Sequence, residues 1–233
     1  MESLEGKSIG QIVTEDYRAA RILQEYKLDF CCNGERSIDA ACQSVGADIN
    51  EVIGAIKSAT ENGCPENAYN DWSLGRLADH IVDQHHTFTR EEISEIQVLA
   101  HKVAKSHSSE HPELKKMEHE FMYLSMELTS HLNKEERNLF PFIKKLASGD
   151  IEGANDFRKQ SEFDPIRMLG HEHTEAIERL AKIRTLSNGY TLPAEACNRH
   201  QELYNRLIAF EQDMHKHIHL ENNILFPQSD NLI

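Results

Sequence analysis

Two stretches of this sequence repeat a pattern suited to holding metal. His131–Pro141 reads HLNKEERNLFP and His217–Pro227 reads HIHLENNILFP, and both fit H-x-x-x-E-x-x-x-L-F-P. Residues four apart share one helical face about a turn apart, so each stretch would present an imidazole beside a carboxylate. Each pair also interrupts an apolar stripe. Leu114, Met117, Phe121, Leu124 and Leu128 precede His131 and Glu135, while Leu203, Leu207, Phe210 and Met214 precede His217 and Glu221. An ionised carboxylate buried in such a stripe is costly without a charged partner, and a metal ion supplies one.

Two further histidines extend the set. His86 lies 45 residues before His131, on a stripe with Val82, Ile93 and Ala100. His173 lies 44 residues before His217, on a stripe with Ile166, Leu169, Ala176, Ile177 and Leu180. The chain thus reads twice as a helix with His, then a helix with His-x-x-x-Glu. Imidazoles and carboxylates facing inward from four helices are a known way to hold paired metals, and this donor mix suits iron, zinc, copper or manganese. The two glutamates would bridge two metals, each carrying two histidines, with room left for an oxo bridge and a diatomic molecule. One pairing puts His86 with His131 and His173 with His217, a choice the sequence leaves open. His85 also fits a seam beside His86 and is a substitute ligand. His171, His215 and His219 fall off the stripe and read as surface or supporting groups, and His119 lies off the seam. Glu127 and Glu172 stand one turn before His131 and next to His173. They could orient ligands or relay protons or metal, or be ordinary solvated charges.

Helices must position these groups. Strand signals are almost absent and apolar periods near 3.6 dominate, so the expected class is all-α. Up to about Asn67, short helices are expected at Tyr17–Tyr26, Ser37–Ser44 and Ile49–Thr60, broken by CCNG at Cys31–Gly34 and by Gly46. Asn62–Asn67 reads as a linker, giving a small helical domain over 1–67 and a four-helix bundle over 68–233. The four long helices are expected at Ser73–His107, Pro112–Leu146 with Pro141 ending or kinking it, Asp164-Pro165 to near Gly189, and Pro193 to Leu225.

Composition narrows the function. The formal net charge of −14 argues against a large nucleic-acid footprint and against anionic membrane surfaces. No apolar run approaches the roughly 20 residues of a membrane span. The opening MESLEGKSIG lacks a basic stretch followed by an apolar one, so the cytoplasm is the expected location. Five cysteines in 233 residues do not make a disulfide framework.

These motifs make the chain resemble the hemerythrin-like di-iron proteins, most closely the iron-sulfur cluster repair family. The resemblance is carried by LQEYKLDFCCNGERSIDAAC from Leu23 to Cys42, by DHIVDQHHTFTREEI, ELTSHLNKEERNLFP and GHEHTEA, and by HIHLENNILFP. It implies an antiparallel four-helix bundle behind a small cysteine-pair domain. It also implies two oxo-bridged non-haem iron ions on His86, His131, Glu135, His173, His217 and Glu221, with the glutamates bridging. Glu127 and Glu172 match acidic positions near the family's iron channel, and Cys31 and Cys32 would take a redox or metal-handling role. Oxygen-carrying hemerythrins are similar in fold, but their fifth histidine falls at Ile177 and their late aspartate at Asn222. The function implied is repair of iron–sulfur clusters damaged by nitrosative or oxidative stress, by supplying iron. The partners implied are damaged iron–sulfur proteins, with nitric oxide or dioxygen as small ligands, and a homodimer is left open. Reduction of nitric oxide at the same centre is the enzymatic alternative, and sensing or carrying a diatomic gas the binding one.

Overall fold

The computed structural model describes residues 4–62, 64, 65, 69–150 and 165–232. Among the described residues all regular structure is helical, apart from one isolated bridge between Ser8 and Ser37. The fold is the expected all-α class. Contacts divide the chain into two compact units, residues 1–77 with 218–233, and residues 78–217. This division gives the last sixteen residues to the first unit, unlike a simple cut after residue 67. It falls inside the last long helix.

In the first unit, α1 (Ile9–Glu15) is additional to the helices expected there. Ser8 accepts from the Gln11 N–H while the Gln11 side chain accepts from Ser8 N–H, a reciprocal cap that satisfies two otherwise orphaned donors. α2 spans Ala19–Glu25. α3 (Ile38–Val45) starts on the Ser37 hydroxyl and closes on Gly46 at φ 71°, a left-handed stop that glycine adopts without strain. α4 (Ile49–Thr60) starts on Asp48. Ile9, Ile12, Leu23, Phe30, Ile38, Val52 and Ile56 are buried and make this unit's core.

In the second unit, α5 (Leu74–His80) continues into α6 (Thr87–His107) through a π-helical turn at Ile81–His86. α7 (Glu113–Lys134) continues through a second π turn at Glu135–Leu139 into α8 (Phe140–Ala147). Pro141 therefore neither ends nor breaks its helix. It sits in the first turn of α8, where the backbone N–H it lacks would have had no ordinary helical partner. α9 spans Pro165–Leu186, and its expected cap Asp164 lies outside the described residues. α10 (Asn198–Leu220) begins five residues later than Pro193 and runs on through a third π turn, Glu221–Leu225, into α11 (Phe226–Asp230). α7 packs along both α6 and α9.

The apolar stripes read from the sequence face inward. Leu114, Met117, Phe121, Leu124 and Leu128 of α7 are buried, as are Leu180 and Ile183 of α9 and Leu203, Leu207, Phe210 and Met214 of α10. Phe121 and Phe210 meet edge to face at 5.5 Å, a favoured aromatic arrangement. Among the described residues no helix is long and apolar enough to cross a membrane.

Candidate metal centre

The bundle's inward stripes end in buried polar groups. His86, His131, Glu135, His173 and His217 are all at most 3% exposed. Glu221 follows one turn beyond His217 on the same unbroken helix, so that helix places it beside His217, and it is fully buried. The ligating atoms of His86, Glu135, His217 and Glu221 lie within 4.8 Å of one another, as do those of His131, Glu135, His173 and Glu221. Two donors on one ion, at bonds of about 2.0–2.3 Å, stand no more than about 4.6 Å apart, so each group has the size of a single metal site. The groups share both glutamates. They also pair His86 with His217 and His131 with His173, unlike the pairing offered from sequence. The reason is packing: α7 lies directly against α9, which brings His131 and His173 to a ring separation of 4.7 Å.

Each π turn carries a proposed ligand at its edge, His86 at the end of the first, Glu135 and Glu221 at the starts of the others. A π turn widens the helix by one residue, and such turns are frequent at functional sites. Here each one resets the helical phase beside the polar layer.

Glu135 shows most directly that the pocket suits cations. Its Oε1 stands 3.1 Å from His131 Nε2 and 3.7 Å from His173 Nε2, while Oε2 stands 3.4 Å from His86 Nε2. The carboxylate thus turns one oxygen to each group. Neither oxygen makes a hydrogen bond although both are buried, and such an orphaned carboxylate is expensive. The Nε2 atoms of His131 and His173 also face each other at 2.9 Å, so two nitrogen donors converge where a cation would relieve the crowding. Burial works against charge on both His131 and Glu135. Their mutual attraction outweighs it, raising the imidazole's pKa and holding the carboxyl well below its usual range. The donor set, nitrogen with carboxylate oxygen, fits a first-row transition metal.

Supporting carboxylates fix the imidazoles. His86 Nδ1 meets Glu136 at 2.8 Å, and Arg90 donates to the same Glu136 oxygen at 2.7 Å. His131 Nδ1 meets Glu172 at 2.8 Å. A carboxylate only accepts, so both Nδ1 atoms carry the proton and Nε2 keeps its lone pair for the centre. The bond to His131, then Lys134, outweigh burial and bring the Glu172 carboxyl down to about 2. His85 Nδ1 meets Asp213 at 2.8 Å, and its ring stacks on that of His217 at 5.7 Å. His85 therefore stands behind a ligand and outside both groups. Glu136, Arg90 and Asp213 were not singled out in the sequence. Glu136 had a usable signal, being the second acid of the Glu135-Glu136 pair.

A cavity of about 220 Å³ opens beside His131 and His173, lined by Glu127, Lys134, Glu172 and Glu175 among others. Glu127 and Glu172 thus share one opening. Glu127 is half-exposed and is held by Arg179 at 2.7 Å. Of the remaining histidines, His171 and His119 are exposed and His215 half-buried. His219 is buried, not at the surface, between the rings of Tyr17 and Phe30, each at 5.8 Å.

In the first unit, Cys31 is buried and Cys32 half-buried, with sulfurs 3.8 Å apart. Asp29 gathers the turn, accepting from Cys31 Sγ at 3.3 Å, Cys32 N–H at 2.9 Å and Asn33 Nδ2 at 2.6 Å. The Cys32 contact and burial push the Cys31 thiol well above its usual range. The third π turn grips the same segment: Asn222 donates to the Cys31 carbonyl and Asn223 to that of Phe30, both at 3.0 Å. Gly10 and Gly34 make this possible, because a Cβ on either would overlap the Asn223 side chain.

A helical bundle with a buried nitrogen and carboxylate pocket defines a cation-binding protein of the bundle class. Residues 77–229 match the hemerythrin HHE cation binding domain, and residues 5–60 match ScdA_N, a domain of unknown function. The chain is 32% identical over 226 residues to Iron-sulfur cluster repair protein YtfE of Pectobacterium atrosepticum, covering 96% of each. It is 35% identical over 213 residues to the probable iron-sulfur cluster repair protein of Haemophilus influenzae, covering 90% of each, and 30% identical to the YtfE protein of Musicola paradisiaca over 96% of each. The chain belongs to the hemerythrin-like family of iron-sulfur cluster repair proteins.

Proposed function

We propose that this chain holds two iron ions and supplies iron to iron–sulfur clusters damaged by nitrosative or oxidative stress. The observation that carries the reading is Glu135, a fully buried carboxylate whose two unbonded oxygens face two separate histidine pairs. His86 and His217 would hold one ion and His131 and His173 the other, with Glu135 and Glu221 shared. Bound iron would supply a labile, redox-active metal pool. The relatives' names, which speak of iron–sulfur cluster repair, support damaged iron–sulfur proteins as the recipients.

The chain's own residues suit release as well as retention. Glu136 and Glu172 keep His86 and His131 aimed inward. The cavity bounded by Glu127, Glu172 and Glu175 gives a cation an acidic passage beside His131 and His173. Cys31 and Cys32, both free thiols, would assist transfer or reduction.

The test is reactivation of a nitric-oxide-inactivated iron–sulfur dehydratase by iron-loaded and metal-free protein, with iron tracked. Recovery with the loaded form alone, as iron leaves it, is the expected result. No recovery, with sustained nitrous oxide release instead, would overturn iron supply in favour of nitric oxide reduction.

A further inference from the structure

The far end of the bundle carries a second set of donors that the first centre does not use. His107 and His111 are four apart at the end of α6, and Cys197 and His200 are three apart at the start of α10. His86 and His107 are separated by 21 residues of helix, about 31 Å at 1.5 Å per residue, so the two sets cannot share an ion. His107 Nε2 lies 3.3 Å from Cys197 Sγ. A nitrogen and a sulfur on one tetrahedral zinc ion, at about 2.05 and 2.3 Å from it, stand about 3.6 Å apart.

The second observation is His200. It is 2% exposed, its buried Nε2 has no hydrogen-bond partner, and its ring lies 6.2 Å from that of His107. Burial, followed by the nearby His107 and His111, lowers its pKa, so it stays neutral with a lone pair to give. A buried imidazole nitrogen left unbonded costs free energy. Its place on the first turn of α10 puts it on the same side as Cys197. His111 is already oriented by Glu113 at 3.0 Å on Nδ1, and its Nε2 rests on Glu195 at 2.9 Å.

We propose that Cys197, His107, His200 and His111 form a binding site for a borderline divalent cation of the zinc class, independent of the iron centre. The four do not yet converge on one point; His111 must exchange Glu195 for the ion, and the His200 ring must turn toward the Cys197 sulfur. Binding converts the Cys197 thiol to thiolate, releasing one proton to solvent as the metal–sulfur bond forms. Occupied, the site would fasten the α6–α7 connection to the start of α10.

Cobalt(II) is the probe, because a thiolate ligand gives it a near-ultraviolet charge-transfer band that imidazole and carboxylate do not. The iron-loaded full chain is titrated beside Cys197→Ser and His200→Gln, with iron content and melting temperature recorded for each. The expected result is a band saturating at one equivalent, lost in Cys197→Ser and shifted by more than about tenfold in midpoint in His200→Gln, with iron unchanged. A band of equal height and midpoint in either variant would overturn the site, and would direct attention to Cys31 and Cys32 if Cys197→Ser retained it. No band in the parent chain would also overturn it. Should a variant fail to fold, zinc protection of Cys197 from alkylation in the unaltered chain decides the matter: protection supports the site, and unchanged labelling refutes it.

Discussion

The two copies of H-x-x-x-E-x-x-x-L-F-P fold alike and face outward differently. Both form a π turn beginning at the glutamate, both bury that glutamate fully, and both pass through Leu-Phe-Pro into a short helix. The residues after the glutamate then diverge. In the first copy Glu136 accepts from His86 and Arg90, so the outer side reinforces the polar pocket. In the second copy Asn222 and Asn223 donate to the carbonyls of Cys31 and Phe30, so the outer side grips the cysteine turn. The shared positions are those whose chemistry the pocket dictates. The divergent ones answer to whatever packs against them.

The comparison breaks most severely at Glu135. Glu135→Ala removes the carboxylate common to both groups and is expected to lose most of the bound iron, read by elemental analysis of purified protein. Retention of the parent's iron content would show that Glu135 bridges nothing. Gly34→Ala attacks the second copy's outer side, since a Cβ there would overlap Asn223 and come 2.7 Å from the Phe30 carbonyl. A stability loss of about 3 kcal/mol is expected from denaturant unfolding, and one below about 0.5 kcal/mol would mean the Asn223 contact yields easily. Glu136→Ala leaves every proposed ligand in place and should weaken iron binding about 10–100-fold, measured by chelator competition. An unchanged affinity would reduce Glu136 to a partner of Arg90.

The smallest effect lies away from both copies. Lys182, against the pull of burial and with help from Arg179, holds the Glu120 carboxyl below its ordinary 4.5. A lowered folded-state pKa means its stabilisation is complete above about pH 4.5 and fades as pH falls through the folded value. Glu120→Gln should therefore lower the melting temperature slightly at pH 7, by less than about 1 kcal/mol of stability. The gap to the parent should close below pH 4.5. A gap that persisted in acid would point to packing instead.

Much of this was legible in the sequence because helical periodicity and metal ligation impose regular spacing. The stripes ending in His131 and Glu135 and in His217 and Glu221 needed only a count of threes and fours. Short-range caps were legible too, and Ser8 with Gln11 would have announced α1 had the capping pattern been sought there. The grouping of histidines was not, because it depends on α7 lying against α9, a tertiary fact. The supporting Asp213 was equally hidden: it sits 128 residues from His85, and nothing local marks a carboxylate that will turn toward a distant imidazole. His219 misled because the apolar stripe assumed an uninterrupted 3.6 period, whereas its own packing is against Tyr17 and Phe30.

The π turns carry a consequence for how such a chain can change over generations. Each holds one residue more than an ordinary helical turn, so a single-codon deletion there would restore regular winding and leave the helix continuous. Everything downstream would then swing by about 100° around the axis. Deleting Asn138 would turn Phe140 away from the His86 ring it now faces at 5.6 Å, and deleting Ile224 would rotate Phe226 out of its buried place. Insertions and deletions, usually tolerated at loops, are here forbidden in mid-helix for reasons of phase.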